Sequence, residues 1–359
     1  MLALYMAIHL TLADRRLHTY AVEDTFITPV EHAPIRVGIA GATGYAGLEL
    51  VRLLARHPAV RLMLATSSGT GNPRRVPALA KIWDDPIAPL DSVALVEACD
   101  VVCMALPEKA SASLGTELVA SGLRVIDLSG AFRVREAAAR SRWYPDTVSV
   151  PDGTVYALPE RSRDALAHAT LASCPGCYPT AALLALQPLV DAALVEGDVI
   201  IDAKSGVSGA GKVPSERTHF SENHGSASAY GVFGHRHVAE MEQELGRSVT
   251  FVPHLVPLNR GILETIYARL APGATADAVS QALESAYTES PFVRLRGDAL
   301  PEIKHVAYTN FCDIGWRVDE ATGRVVLVSC LDNLLKGAAS QGVQNLNLML
   351  GLDERRGLL

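Results

Sequence analysis

Apolar residues first fall into a regular pattern at residues 35–40, a short β-rich run. Gly41, Gly44 and Gly47 follow, and then LELVRLLAR, whose apolar positions recur at helical spacing until Pro58 stops them. Residues 60–66 read as a second strand. Residues 101–106 and 124–128 are buried strands ending in turn residues, with a helix over 111–121 between them. Strands alternating with helices predict a parallel, doubly wound sheet. After about residue 160 the pattern changes: 199–203, 249–256, 261–269 and 324–330 are strand candidates with few helices between them. That predicts a mixed or antiparallel sheet. Thr275 can cap a helix running to about residue 285, with Val279, Leu283 and Ala286 on one face. At the end, Leu335, Ala339, Val343, Leu346 and Leu350 predict a helix over 333–350 that returns to the first sheet. The expected division is 34–175, completed by 332–359, then 176–331, with 1–33 an extension of no assigned role.

Composition narrows the class. With 359 residues, 49% hydrophobic and 20% charged, the chain is long enough for two packed domains and is not a disordered one. A net charge of −7 leaves no electrostatic footprint for nucleic acid or an anionic membrane. Six cysteines, irregularly spaced, are too few for a disulfide framework, so a reducing cytoplasm is expected. The longest stretch without a charge, 165–190, contains Pro175, Gly176, Pro179 and Pro188 and does not read as one spanning helix. Residues 1–13 are apolar, but they lack a basic start and run into Asp14, Arg15 and Arg16, so no signal peptide is expected. Glu23, Asp24 and Glu31 argue against a transit peptide.

The glycines at 41, 44 and 47 follow a strand and open a helix. A helix start offers free backbone N–H groups to a pyrophosphate, and glycine lets the backbone come close. Gly41, Thr43, Gly44, Tyr45, Ala46 and Gly47 are therefore candidate cofactor contacts in a Rossmann-type fold. A tight turn without a ligand is the bland alternative. The second strand ends in Ser67 and Ser68 with no acid for a ribose 2′-hydroxyl, and Arg74 and Arg75 lie downstream. That favours the 2′-phosphate of NADP(H).

In Ser173-Cys-Pro-Gly-Cys177-Tyr-Pro-Thr180, Pro179 suits a first helical turn, which puts Cys177 at the helix start, where the dipole favours a thiolate. The competing readings are a redox pair with Cys174, half a zinc site, or two buried structural thiols. No second cysteine pair supports zinc, and no metal is expected. The glycine–serine loop 205–212 can approach a phosphate or a flat ring. His235 and His237 fit surface or packing roles, but a thiol nucleophile also needs a base and an acid.

From about residue 35 onwards the chain resembles the N-acetyl-γ-glutamyl-phosphate reductases of the aspartate-semialdehyde dehydrogenase superfamily. The resemblance rests on GATGYAG (41–47), DLSGAFR (127–133), YALPE (156–160), PGCYPTAALLAL (175–186), SGVSGAGK (205–212), GHRH with AEMEQEL (234–245) and DNLLKGAASQGVQNLNL (332–348). It implies an NADPH-binding Rossmann domain, then an α+β catalytic and dimerisation domain with a mixed sheet, assembled as a homo-oligomer (dimer or tetramer). It places the nucleophile on Cys177 and the acid/base on His235. Cofactor contacts near the nicotinamide fall on Ser205, Gly206, Gly209 and Asn333, and substrate contacts on Arg133, Ser129 and His237. The implied reaction is NADPH-dependent reduction of an acyl phosphate through a cysteine thioester. A carrier-linked aminoadipyl or glutamyl phosphate, or aspartyl phosphate, is the nearest alternative substrate. An NADP-binding sensor without turnover is the alternative of another class. Glu108 and Lys109 depart from the family pattern ALPHGAS, and Ala131 replaces an acid.

Overall fold

Fourteen strands among the described residues form two seven-stranded sheets. A computed structural model describes residues 33–67 and 71–359; the expected extension, apart from Ala33, and the cofactor candidate Ser68 lie outside the described residues. The first sheet contains β1 (Ile35–Ala40), β2 (Val60–Ser67), β3 (Ala88–Pro89), β4 (Val101–Met104), β5 (Arg124–Asp127), β6 (Thr154–Tyr156) and β7 (Leu171–Ser173). Its order is β3-β2-β1-β4-β5-β7-β6 and every pairing is parallel. The chain leaves β1 first to one side and then to the other, so a crevice opens at the carboxyl ends of β1 and β4. Val37, Ile39 and Cys103 are wholly buried, as strands covered on both faces require.

The second sheet contains β8 (Val195–Gly206), β9 (Ser228–Ala229), β10 (Thr250–Val256), β11 (Ile262–Leu270), β12 (Val293–Gly297), β13 (Cys312–Asp319) and β14 (Arg324–Leu331). Its order is β12-β13-β14-β11-β8-β10-β9, with β8–β10 and β12–β13 parallel and the other pairings antiparallel. One face packs on the helix Cys177–Asp191, in which every residue from Tyr178 to Leu189 is buried. The long uncharged stretch is thus a helix end, β7 and this core helix in succession. Among the described residues no helix is long and apolar enough to cross a membrane.

The capped helix spans Ala276–Tyr287, and the Thr275 hydroxyl accepts the Ala278 N–H. Its buried face is Val279, Leu283 and Tyr287; Ala286, expected inside, is exposed because the stripe advances by four residues there. The terminal segment does return to the first sheet, where Ala339, Val343 and Leu346 join its core. It starts as a π turn over Leu335–Ala339, with the Gly337 and Ala339 amides donating five residues back to the Asp332 and Leu334 carbonyls.

Candidate active site

Three segments converge on Cys177. β7 delivers the Cys174–Gly176 turn, and Cys177 begins the helix directly after its N-cap Gly176. The helix His237–Leu245 packs beside it and contributes Glu240, whose side chain is fully buried. Glu240 Oε2 accepts the Gly176 N–H at 2.9 Å and the Tyr156 hydroxyl at 3.2 Å, while Oε1 accepts from Arg133 Nη1 at 3.1 Å. Arg133 also donates from Nε to the Cys174 carbonyl and from Nη2 to the Leu128 carbonyl, both at 2.8 Å. The buried ion pair therefore grips the turn from both sides. The third segment is the π turn: a Cβ on Gly337 would lie 2.8 Å from the Cys177 Cβ.

Cys177 lines two pockets. One, of about 420 Å³, is walled by Tyr178, Tyr230, His235 and Arg217. The other, of about 310 Å³, runs from Gly44 past Gly209 and Asn333 to the thiol. His237 lines both. The His235 ring meets Tyr178, Tyr230, Phe251 and His237 edge to face, with centroids 4.7–5.6 Å apart. Its Nδ1 accepts the His237 N–H at 3.2 Å, so the neutral ring as it stands carries its proton on Nε2.

Burial governs the protonation states. It pushes the Cys177 thiol up to about 12, although Arg133 and the Tyr178 N–H pull the other way. The thiolate expected from the helix dipole is therefore not the resting form; at the half-buried sulfur, desolvation outweighs the dipole. Burial also lowers His235 to about 4 and holds His237 well below its ordinary value, so both rings rest neutral.

The semialdehyde dehydrogenase NAD-binding domain matches residues 36–169, and the semialdehyde dehydrogenase dimerisation domain matches 177–333. An N-acetyl-γ-glutamyl-phosphate reductase from Desulforapulum autotrophicum is 45% identical over 337 residues, covering 90% of this chain and 98% of the relative. Another, from Desulforudis audaxviator, is 46% identical over 339 residues with the same coverage. The chain belongs to the N-acetyl-γ-glutamyl-phosphate reductase family. Among solved structures, aspartate semialdehyde dehydrogenase II of Vibrio cholerae complexed with ASA superposes with a TM-score of 0.69 at 19% identity, covering 89% of this chain and 99% of that one. The Candida albicans aspartate semialdehyde dehydrogenase with NADP gives 0.68 at 16%, with the same coverage. At those identities the likeness is one of fold.

In this reductase the glycine loop lies at the end of β1. Gly41 has φ +97°, and a Cβ there would be 2.3 Å from the Ala105 carbonyl oxygen. The Gly41 and Ala42 amides donate to the Thr66 carbonyl, which brings the end of β2 and Ser67 beside the loop. Gly44 has room for a Cβ instead, which would meet only the Gly41 carbonyl oxygen, at 3.6 Å. Gly44, Tyr45, Ala46 and Gly47 line the long pocket, whereas Thr43 offers its carbonyl to Lys212 Nζ at 2.6 Å. Asn333 accepts the Gly261 N–H and donates to Ser208 Oγ at 3.0 Å. Ser205 walls the shorter pocket, and Gly206 packs under the Leu258–Arg260 turn. Ser129 is committed to its own turn, its hydroxyl donating to Asp127 at 2.7 Å. Glu240, Tyr230 and Arg217 were not candidates by sequence. Only Glu240 carried a signal, three residues after His237 on the same helical face. The departure at Glu108 has a structural counterpart: Glu108 pairs with Arg236 of the HRH triplet.

Proposed function

We propose that the protein reduces N-acetyl-γ-glutamyl phosphate to N-acetylglutamate semialdehyde, releasing phosphate, with NADPH as reductant in cytoplasmic arginine biosynthesis. The observation that carries this reading is Cys177, which lines both pockets and stands at their junction. A thiol so placed meets an acyl group entering from one side and a cofactor from the other.

The described residues fit a dinucleotide. Gly44 leaves a cradle that a side chain would fill, at a helix start with unpaired amides. Gly41 and Thr43 shape that loop, and Gly44, Tyr45, Ala46 and Gly47 hold the pyrophosphate. Ser67 borders the 2′-phosphate, and Gly209 and Asn333 form the nicotinamide end, with Ser205 and Gly206 supporting the loop that carries Gly209. When bound, NADPH supplies the hydride that reduces the acyl carbon.

The chain's own residues do the rest. Cys177 Sγ attacks the acyl carbon, the bond to phosphate breaks, and a thioester holds the acyl group in place, making the reduction effectively unimolecular. His235 takes the thiol proton on Nε2, which requires the Nδ1–H tautomer and release of the His237 N–H. Once the acyl carbon is reduced, the carbon–sulfur bond breaks to free the aldehyde and the proton returns to the Cys177 sulfur. Because both groups rest neutral, the thiolate forms with substrate present and is not stored. His237 and Arg133 border the reacting atoms, Arg133 and Ser129 chiefly as supports of the surrounding turns. Residues 34–175 with 332–359 act as the cofactor domain and 176–331 as the catalytic and dimerisation domain. A homo-oligomer is supported by the open face of the second sheet, where Ile200 and Tyr267 are adjacent and 42% and 43% exposed.

The test is the reverse reaction. Purified protein with N-acetylglutamate semialdehyde, phosphate and NADP+ should give phosphate-dependent absorbance of NADPH. Turnover of aspartate semialdehyde or a carrier-linked semialdehyde in its place would redirect the substrate reading.

A further inference from the structure

An acyl phosphate of an N-acetylated amino acid carries two anionic groups. The phosphate is bonded to the carbon that Cys177 attacks, so it lies beside the sulfur. The α-carboxylate is separated from that carbon by three others and needs its own partner at a distance from the thiol.

Among the described residues, two cations other than histidine wall the Cys177–His235 pocket, Arg217 and Arg236. Arg236 is paired with Glu108. Arg217 has no carboxylate within ion-pair distance among the described residues, and its guanidinium stacks on the Tyr230 ring, 5.0 Å from the centroid. The Tyr230 hydroxyl in turn meets the Tyr178 hydroxyl at 3.2 Å, and Tyr178 follows Cys177 in the chain. The wall thus runs from the thiol across two phenols to an uncommitted guanidinium. The Tyr230 phenol feels Cys177 as well as Arg217. A planar, permanently charged fork stacked on an aromatic ring is pre-oriented for a carboxylate.

We propose that Arg217 binds the α-carboxylate of the substrate and so selects for a free amino-acid carboxylate over an esterified one. The assignment rests on the substrate reading given above. It separates Arg217, which grips the part of the substrate that does not react, from Arg133, whose donors hold the cysteine turn.

The experiment compares wild type, Arg217→Gln and Arg217→Lys in the reverse direction, with N-acetylglutamate semialdehyde and with its α-methyl ester. For the free acid, Arg217→Gln should raise KM by about tenfold or more, the cost of one charge-assisted contact, with the loss falling on KM more than on kcat. Arg217→Lys should recover part of it. The KM for phosphate should hold. For the ester, wild type and Arg217→Gln should be alike, which removes any general disturbance of Tyr230 from the comparison. An unchanged KM for the free acid overturns the assignment. So does a rise confined to phosphate, or an equal loss with the ester. A wild-type enzyme inert towards the N-acetylated semialdehyde but active on another semialdehyde overturns the substrate reading, and the Arg217 assignment falls with it.

Discussion

The crevice beside the glycine loop and the pocket beside Cys177 are built from different materials. In the crevice the polar side chains are largely engaged with the protein: Asn333 with Gly261 and Ser208, and Lys212 with the Thr43 carbonyl. What remains for a ligand is backbone and the space left by absent side chains. In the pocket the walls are side chains, and burial has displaced the ionisation of Cys177, His235, His237, Tyr178 and Tyr230. A site made of amides tolerates altered charge and fails when filled. A site made of displaced charges should fail in the opposite way.

The contrast is sharpest at the two cysteines of the Cys174–Cys177 turn. Cys177→Ser should abolish reduction while NADPH binding, read by fluorescence quenching, stays near wild type, because a hydroxyl is a far weaker nucleophile. Cys174 is wholly buried and accepts from Asn345 Nδ2 at 3.3 Å, so Cys174→Ser should keep most turnover and lose some stability. The reverse pattern would move the nucleophile to Cys174.

Glu240 sharpens the comparison from the side of stability. Glu240→Gln leaves Arg133 buried without its counter-ion and should cost about 3 kcal/mol in urea unfolding. The paired change Arg133→Met with Glu240→Leu should cost less than the sum of the singles, since two apolar groups strand no charge. Strict additivity would mean that the pair does not act as a unit.

Titration of the histidines gives a further effect of known sign. Burial lowers His235 from 6.5 to about 4 and also lowers His237, so between those pH values the unfolded chain binds more protons than the folded one. Stability is then fully present above pH 6.5 and is lost as pH falls towards 4. His235→Asn should flatten that acid limb in a melting-temperature series. It should also strongly slow turnover at neutral pH. With the thiol at about 12, Cys177 in the substrate-free enzyme should react slowly with iodoacetamide at pH 7 and faster as pH rises.

The two regions were unequally legible in the sequence. The glycine loop declares itself because strand, turn and helix follow one another within a dozen residues, and the PGCYP turn because proline and cysteine mark a helix start. Both sheets are legible only in part: β3, β6 and β7 of the first, two or three residues long, are too short to show a pattern. β12 is hard to see in sequence because it is only five residues long and ends in glycine, and β13 because Asp313 and Gly315 interrupt it. Asp313 lies inside that strand only because Arg294 pairs with it across the β12–β13 register. Arg217 sits in a loop with no periodicity, and its relation to Cys177 exists only in the folded chain. The direction of the Cys177 shift is hidden from sequence for a related reason: the helix dipole is local and visible there, whereas desolvation comes from β11, β14 and the π turn, all distant along the chain.

Cofactor choice is the mildest test, because it asks the backbone-built crevice to respond to charge. Ser67 closes β2, and the amides of Gly41 and Ala42 bond to the neighbouring Thr66 carbonyl, so position 67 borders the glycine loop. An acid there would accept from a ribose 2′-hydroxyl but repel a 2′-phosphate. Wild type should therefore show a higher kcat/KM for NADPH than for NADH, and Ser67→Asp should shift the ratio towards NADH by about tenfold, the equivalent of roughly 1.4 kcal/mol. Ser67 is half-buried, so salt should screen part of the repulsion, and the shift should shrink at high ionic strength. Equal kcat/KM values for both cofactors in wild type would remove the role assigned to the end of β2. A shift insensitive to salt would point instead to a steric effect of the longer side chain.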